Sequence, residues 1–143
     1  MEESPILKAL TMSLDRFLQA QENTYAGALA ELRAGEKTGH WIWWIFPQDK
    51  MPNLSPTSVR YALADEAEAS AYLEHPVLGG RYRECVATVH AHLCGRKVGP
   101  EALMGSDTDV KKLRSSLNYF LKVAREDDAV LRGQAQDILK VLG

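Results

Sequence analysis

Residues 109–125 read DVKKLRSSLNYFLKVAR, and the apolar side chains of this stretch recur at steps of three and four residues. Such spacing places them on one face of an α-helix. The residues that share this face are Val110, Leu113, Leu117, Phe120, Leu121 and Ala124. The pattern therefore predicts an amphipathic helix over 109–125, with Thr108 or Asp109 as its N-cap.

The same spacing extends through most of the chain and predicts further helices near 14–34, 65–74, 77–94 and 128–142. Ser13 is the expected N-cap of the first, and Gly35 is expected to end it. Three prolines in residues 47–57 predict an extended loop there. Short links between helices are typical of a mainly α protein, so we predict a single compact helical domain of five to six helices over residues 1–143.

Composition excludes several classes of protein. The chain has 143 residues and a formal net charge of −2. This near-neutral balance argues against a protein that binds nucleic acid through bulk positive charge, so no nucleic-acid partner is expected. No apolar run approaches the roughly 20 residues that span a bilayer, and the acidic start MEESPILKAL does not resemble a secretory signal. We therefore expect no membrane partner.

The two cysteines, Cys85 and Cys94, lie nine residues apart within the predicted helix over 77–94. Nine helical residues span about 13 Å and half a turn of rotation, which places the two thiols on opposite sides. A disulfide needs Cα atoms within about 7 Å. We therefore predict two free thiols and a reducing, cytoplasmic location.

The least ordinary stretch is HWIWWIFP, residues 40–47, which holds all three tryptophans of the chain. It is too short for a typical helix and has no second strand to pair with, so we predict a buried irregular or short helical segment. In one interpretation the segment threads the core. In the other, one ring lines a pocket and stacks on a planar ligand such as a nucleobase, while His40 and Gln48 supply hydrogen bonds at the rim.

A polar cluster at residues 109–116 offers a second candidate feature. Asp109 and Lys112 are spaced i,i+3, which favours a surface ion pair. Alternatively, Lys112 and the hydroxyls of Ser115 and Ser116 bind an anion, with Arg81 as a further phosphate-binding side chain. The four histidines lack metal-ligand spacing, and no phosphate-binding or dinucleotide-binding motif is present. We therefore predict neither a metal site nor a cofactor.

Several of these motifs together resemble the bacterial domain-of-unknown-function family 1810, sometimes labelled calpastatin-like, over about residues 13–140. The motifs that carry the resemblance are His40 to Gln48, Arg60 to Leu63, His75 to Gly79 followed by Arg81, and Asp109 to Ser116 followed by Phe120. The resemblance implies a compact, mainly helical domain and supplies no activity. The calpastatin label implies protease inhibition, but inhibitors of that type are long, disordered and repetitive, unlike this helix-patterned chain. A looser similarity connects the chain to the NAD/ADP-ribose-associated family, which includes N-glycosidases acting on ADP-ribose-type substrates, and no catalytic residue carries over from it.

Two functional hypotheses follow from the sequence. The first is a pocket for an anionic, planar small molecule, a nucleotide or ADP-ribose derivative, formed where the aromatic run meets the helix start at 109–116, with hydrolysis left open. Its ligand-binding candidates are His40, Trp41, Trp43, Gln48, Arg81, Lys112, Ser115 and Ser116, and its catalytic candidates are Asp109 and His40. The second is a non-catalytic protein-interaction module in which these residues serve as core and caps. The sequence does not indicate the ligand, the reaction or the oligomeric state.

Overall fold

The computed structural model describes residues 4–50 and 55–143, and nine α-helices account for most of these residues. In chain order they are α1 (Pro5–Glu22), α2 (Tyr25–Ala34), α3 (Ile42–Ile45), α4 (Pro56–Tyr61), α5 (Glu66–Glu74), α6 (Leu78–His90), α7 (Pro100–Met104), α8 (Asp107–Val123) and α9 (Ala129–Leu142). A π-helical turn, Ala91–Gly95, extends α6. These described ranges contain one isolated parallel bridge, between Asp49 and Leu63, and no strand. The predicted fold class, a mainly α single helical domain, is confirmed.

The start of the first helix differs from its prediction. α1 begins at Pro5, well before residue 14, and the hydroxyl of Ser4 accepts a hydrogen bond from the Leu7 N–H. Ser4 is therefore the N-cap, and Pro5 occupies the first helical position, where its missing N–H costs nothing. Ser13 is an interior helical residue, and its hydroxyl donates to the carbonyl of Leu10.

The predicted continuity of the helix over 14–34 is also wrong, because the chain breaks at Asn23 and Thr24 into α1 and α2. The hydroxyl of Thr24 accepts a hydrogen bond of 2.9 Å from the indole N–H of Trp44. The break thus lies where a distant part of the chain docks, which periodicity within 14–34 cannot reveal. Gly35 ends α2 with a φ of +83°, as predicted.

The remaining helices lie close to their predicted positions. Asp65 caps α5 through a hydrogen bond from the Glu68 N–H to its carboxylate. For α8 the cap is Ser106, whose hydroxyl accepts from the Asp109 N–H at 3.1 Å, so the prediction of Thr108 or Asp109 is two to three residues late. Within the predicted loop over 47–57, residues 51–54 lie outside the described ranges. Pro56 begins α4 rather than continuing an extended segment.

Aromatic rings fill the centre of the core. The rings of Tyr82 and Phe120, on α6 and α8, are 4.3 Å apart, and Tyr72 and Phe17 extend this cluster toward α1. The Tyr82 hydroxyl, which is fully buried, forms a hydrogen bond of 3.0 Å with the Ser116 hydroxyl. α6 packs against α2, α5 and α9, and α8 packs against α5, α7 and α9. These contacts hold the start of α8 at one edge of the core.

Both cysteines are free thiols, as predicted: Cys85 is buried on α6 and Cys94 is half-buried in the π-helical turn. Burial raises the pKa of the Cys85 thiol to about 12, so this thiol is poorly reactive. Among the described helices, none combines the length and the apolarity that a bilayer-spanning helix requires.

Candidate functional site

The aromatic run forms a short helix, α3, whose three indole N–H groups are each tied to a different part of the fold. Trp41 donates to the carboxylate of Glu31, Trp43 to the hydroxyl of Ser58, and Trp44 to Thr24. Trp41 is buried, whereas Trp43 and Trp44 are half-buried. The prediction of a buried short helical segment is therefore accurate, and Trp43 is the tryptophan that reaches the surface cleft described next.

A cleft of about 340 Å³ lies between this helix and the start of α8. Its lining residues are Lys37, Thr38, Gly39, His40, Ile42, Trp43, Met104, Gly105, Ser106, Thr108, Asp109 and Lys112. The aromatic run and the polar start of α8 thus meet across one cavity, as the sequence predicted. The walls combine apolar surface with three charged side chains, those of Lys37, Asp109 and Lys112.

One wall of the cleft is the loop 35–41, which is held against α7 and α8 through its backbone. The N–H of Lys37 donates to the carbonyl of Leu103 at 2.8 Å. Gly105 follows α7 with a φ of +87°, and a Cβ at this position would lie 2.9 Å from the Lys37 carbonyl oxygen. Only glycine combines this left-handed conformation with so close an approach of the two backbones.

Glu31 fixes the same loop from the other side. One carboxylate oxygen accepts hydrogen bonds from the N–H groups of Thr38 and Gly39, both at 2.7 Å, and from the indole of Trp41 at 3.1 Å. Partial burial disfavours the charge of Glu31, but the hydrogen bonds from Gly39, Thr38 and Trp41 outweigh it and lower the pKa of this carboxyl. The ionised form of Glu31 is therefore the one that holds the cleft wall.

Two lysines share one carboxylate in the cleft. The ammonium of Lys37 lies 2.7 Å from Asp109 Oδ2 and also donates to the carbonyl of Gly39, and its side chain is only 5% exposed. The ammonium of Lys112 lies 4.0 Å from Asp109 Oδ1, beyond hydrogen-bonding distance, and its side chain is 22% exposed. Of the Lys, Arg, Asp and Glu side chains that line the cleft, two are cations, Lys37 and Lys112, and one is an anion, Asp109.

Each of these lysines also lies over a tryptophan. Lys37 Nζ is 4.9 Å from the ring centroid of Trp41, and Lys112 Nζ is 4.8 Å from that of Trp43. The separations fit cation–π contacts. Lys37 thus has three partners, whereas Lys112 donates a hydrogen bond to no residue in the described ranges. The ammonium of Lys112 is the one with donors available to a ligand.

His40 and Gln48 lie on either side of Trp43. His40 is exposed on the rim of the main cleft. Gln48 lines a much smaller recess of about 10 Å³, together with Ser58 and Lys112. Trp43 and Lys112 line both cavities and so separate them. At most one water fits the recess, so Gln48 does not contact a ligand in the cleft in this arrangement.

Besides Gln48, four predicted ligand-binding residues lie outside the lining of the main cleft. Arg81 stacks over the ring of Tyr25 at 4.8 Å and donates to the side-chain oxygen of Gln21. Ser116 is fully buried against Tyr82. The two other residues of this group are Trp41, whose ring lies beneath the ammonium of Lys37, and Ser115, which is half-buried on α8.

The cleft contains residues that sequence reasoning missed. Lys37 lies in a polar loop between two glycines, where a lysine is ordinary, and nothing local distinguishes it from a solvated residue. Glu31 occupies the polar side of α2 and looks like any helix-surface acid. The one sequence feature that could have indicated Lys37 is its place in the loop 35–41, directly before the tryptophan run. A loop joined to a buried aromatic segment is expected to run along the core. The described residues contain no cluster of three or more His, Cys, Asp or Glu side chains suited to a metal ion.

Comparison with known proteins gives a family and a fold. A family model described as "Protein of unknown function (DUF1810)" matches residues 11–138 of the chain. A similar solved structure is that of the conserved hypothetical protein Rv1873 from Mycobacterium tuberculosis, at 38% identity and a TM-score of 0.73, covering 90% of this chain and 84% of that one. No curated protein matches the chain significantly.

Proposed function

The chain belongs to DUF1810, a family of unknown function. Because the family supplies no activity, we propose from the cleft itself that the protein binds an anionic, planar small molecule of nucleotide or ADP-ribose type. The observation that carries this proposal is the Lys112 ammonium. It lies in the cleft, half-buried, and donates a hydrogen bond to no residue in the described ranges. The donors of this ammonium are free to form charge-assisted hydrogen bonds with an anionic ligand.

The positive charge of the cleft supports the anionic part of the proposal. Asp109 balances one of the two lysines, and the other remains uncompensated. The first turn of α8 adds its helix dipole, although Asp107 and Asp109 already occupy part of that favourable position. The excess of one positive charge fits a ligand with a phosphate group.

The planar part of the proposal rests on Trp43. Its ring lines the cleft, and Ile42 and Met104 supply further apolar surface beside it. Nucleobases stack well on indole rings, at about 1–3 kcal/mol per base. A volume near 340 Å³ lies within the range of small-ligand pockets and suits a ligand of nucleotide size.

Hydrolysis of the bound molecule would depend on His40 rather than on Asp109. Asp109 accepts from Lys37 and faces Lys112, so its carboxylate is committed to holding cations. The imidazole of His40 is exposed on the rim and has no hydrogen-bond partner in the described ranges, which leaves it available as an acid or base. Incubation with ADP-ribose, NAD and AMP, followed by chromatography of the products, tests this step. A turnover that persists in His40→Ala would remove His40 from the chemistry.

Binding is tested by calorimetric titration of the protein with AMP, ADP-ribose and the uncharged nucleoside adenosine. We expect AMP or ADP-ribose to bind, and Lys112→Ala to weaken that binding by about ten- to hundredfold, since a charge-assisted contact is lost. The matched control is Lys111→Ala on the next residue of α8, whose ammonium pairs with Asp107 on the exposed side of the helix. Equal losses in the two variants, or no binding of any anionic nucleotide, would contradict the proposal.

The alternative, a protein-interaction module, is favoured by one observation. Trp41, Arg81 and Ser116 have internal partners and serve the core rather than a ligand. If no small molecule from a nucleotide panel raises the melting temperature, this second function becomes the better explanation.

A further inference from the structure

The two groups of the cleft that a nucleotide would use, the Trp43 ring and the Lys112 ammonium, lie against each other. Trp43 offers a ring for stacking, and Lys112 offers an ammonium for a phosphate. However, the ammonium lies 4.8 Å from the centroid of that ring. A planar ligand that stacked on the covered face of Trp43 would have to displace Lys112 first.

Of the two side chains, Lys112 is the one that can move. The Trp43 indole is fixed by its hydrogen bond of 3.1 Å to Ser58 and by its contact with the ring of Trp44, at 5.9 Å between centroids. Lys112 has four rotatable side-chain bonds, and its distance of 4.0 Å from Asp109 is too long for a hydrogen bond. Displacing its ammonium therefore breaks one cation–π contact and lengthens a loose ion pair with Asp109, but it breaks no hydrogen bond within the described residues.

We propose that Lys112 determines specificity in this cleft by covering Trp43 against uncharged planar molecules and uncovering it when an anionic group draws its ammonium away. This inference rests on the proposed function and deepens it, because it names the substrate class as molecules that carry a planar group and a phosphate together. Binding of the phosphate and stacking of the base are then coupled, and the coupling is reciprocal.

The coupling predicts two opposite changes of affinity in the variant Lys112→Ala. The variant loses the anion contact, so its affinity for AMP falls by about ten- to hundredfold. It also uncovers the indole, so its affinity for adenosine rises by about three- to tenfold over that of the wild type. A lysine that served as a phosphate contact alone would produce the first change without the second.

Isothermal titration of the wild type, Lys112→Ala and Lys112→Met with AMP and with adenosine tests the inference. Met keeps an unbranched side chain of similar reach over the indole but has no charge, so Lys112→Met should lose AMP affinity without gaining adenosine affinity. Inorganic phosphate should also raise the affinity of the wild type for adenosine and leave that of Lys112→Ala unchanged. Thermal unfolding of each variant checks that it is folded.

The outcomes separate the inference from the function beneath it. If Lys112→Ala loses AMP affinity and its adenosine affinity stays at the wild-type value, the coupling is wrong and the anionic, planar ligand stands. A gain of adenosine affinity in Lys112→Met as large as in Lys112→Ala would also overturn the coupling, because the covering would then not matter. If the wild type binds neither AMP nor ADP-ribose, both proposals fail.

Discussion

Two lysine–tryptophan pairs flank Asp109, and they differ in almost every physical respect. Lys37 over Trp41 is buried, and its ammonium contacts the carboxylate at 2.7 Å and a backbone carbonyl. Lys112 over Trp43 is more exposed, and its ammonium lies 4.0 Å from the same carboxylate. Satisfied polar groups rigidify a structure, whereas a poorly satisfied group stays available. The first pair therefore belongs to the architecture of the cleft, and the second is the one that we assign to the proposed ligand.

The largest expected effect comes from breaking the buried pair. Lys37→Ala removes the partner that Asp109 contacts directly, and with it the side-chain ion pair that joins the loop 35–41 to α8. We expect a loss of about 3 kcal/mol in the free energy of unfolding, near the lower limit for such pairs because Asp109 keeps Lys112 nearby. Denaturant unfolding measures this value. The control Lys111→Ala, with both partners of its ion pair exposed, should change it by less than about 0.5 kcal/mol. Equal effects in the two variants would show that Lys37 is an ordinary surface cation.

A second test acts on the backbone beneath the buried pair. Gly105→Ala forces a side chain into a φ of +87° and brings its Cβ within 2.9 Å of the Lys37 carbonyl oxygen. We expect a loss of about 2 kcal/mol from this strain. Gly133→Ala is the matched control, because Gly133 lies within α9 with no atom near the added Cβ, and helix propensity predicts a gain of about 0.5–1 kcal/mol there. Thermal unfolding of both variants decides whether the close approach at Gly105 is required.

The third test uses pH to release the loop that carries Lys37. The pKa of Glu31 is lowered in the folded protein, so its contribution to stability is fully present above the unfolded pKa of about 4.3 and is lost as the pH falls through the folded pKa. Glu31→Gln should cost about 1 kcal/mol at neutral pH, given the partial exposure of this side chain. The difference between the two proteins should shrink as the pH falls below the unfolded pKa of about 4.3 and through the lower folded pKa. Measuring the difference removes the contribution of Glu68, whose pKa is also lowered. A difference that does not change with pH would mean that the charge of Glu31 does not hold the loop.

The sequence predicted those parts of the molecule that depend on local pattern. The helices near 65–74, 109–125 and 128–142 have apolar residues at helical spacing, and this pattern determines which face of each helix packs on the core. It did not predict the break between α1 and α2, because Thr24 meets Trp44 from another part of the chain. The caps Ser4 and Ser106 were missed for a related reason, since each is an ordinary polar residue until it adopts an extended conformation at the start of its helix.

The sequence also predicted only some of the residues of the candidate site. Trp43, Asp109 and Lys112 stood out as unusual side chains, and they do share one cleft. Arg81 and Ser116 looked equally suitable, yet they face the core, because sequence spacing does not reveal which polar residues find internal partners. Lys37 went unrecognised because its role depends on Asp109, 72 residues further along the chain.

The smallest expected effect on stability is that of removing Lys112, the lysine that lies over Trp43. This test also distinguishes the two lysines most directly. Lys112→Ala removes an ammonium that donates no hydrogen bond within the described ranges, so the free energy of unfolding should fall by at most about 1 kcal/mol. Denaturant unfolding at low and high salt measures this change, and the value should be about a third of that for Lys37→Ala. If Lys112→Ala proves as destabilising as Lys37→Ala, both lysines are structural, and the ammonium assigned to a ligand is already required by the fold. A small loss of stability joined to a large loss of nucleotide affinity would instead separate the two lysines that share Asp109, one serving the loop and the other the cleft.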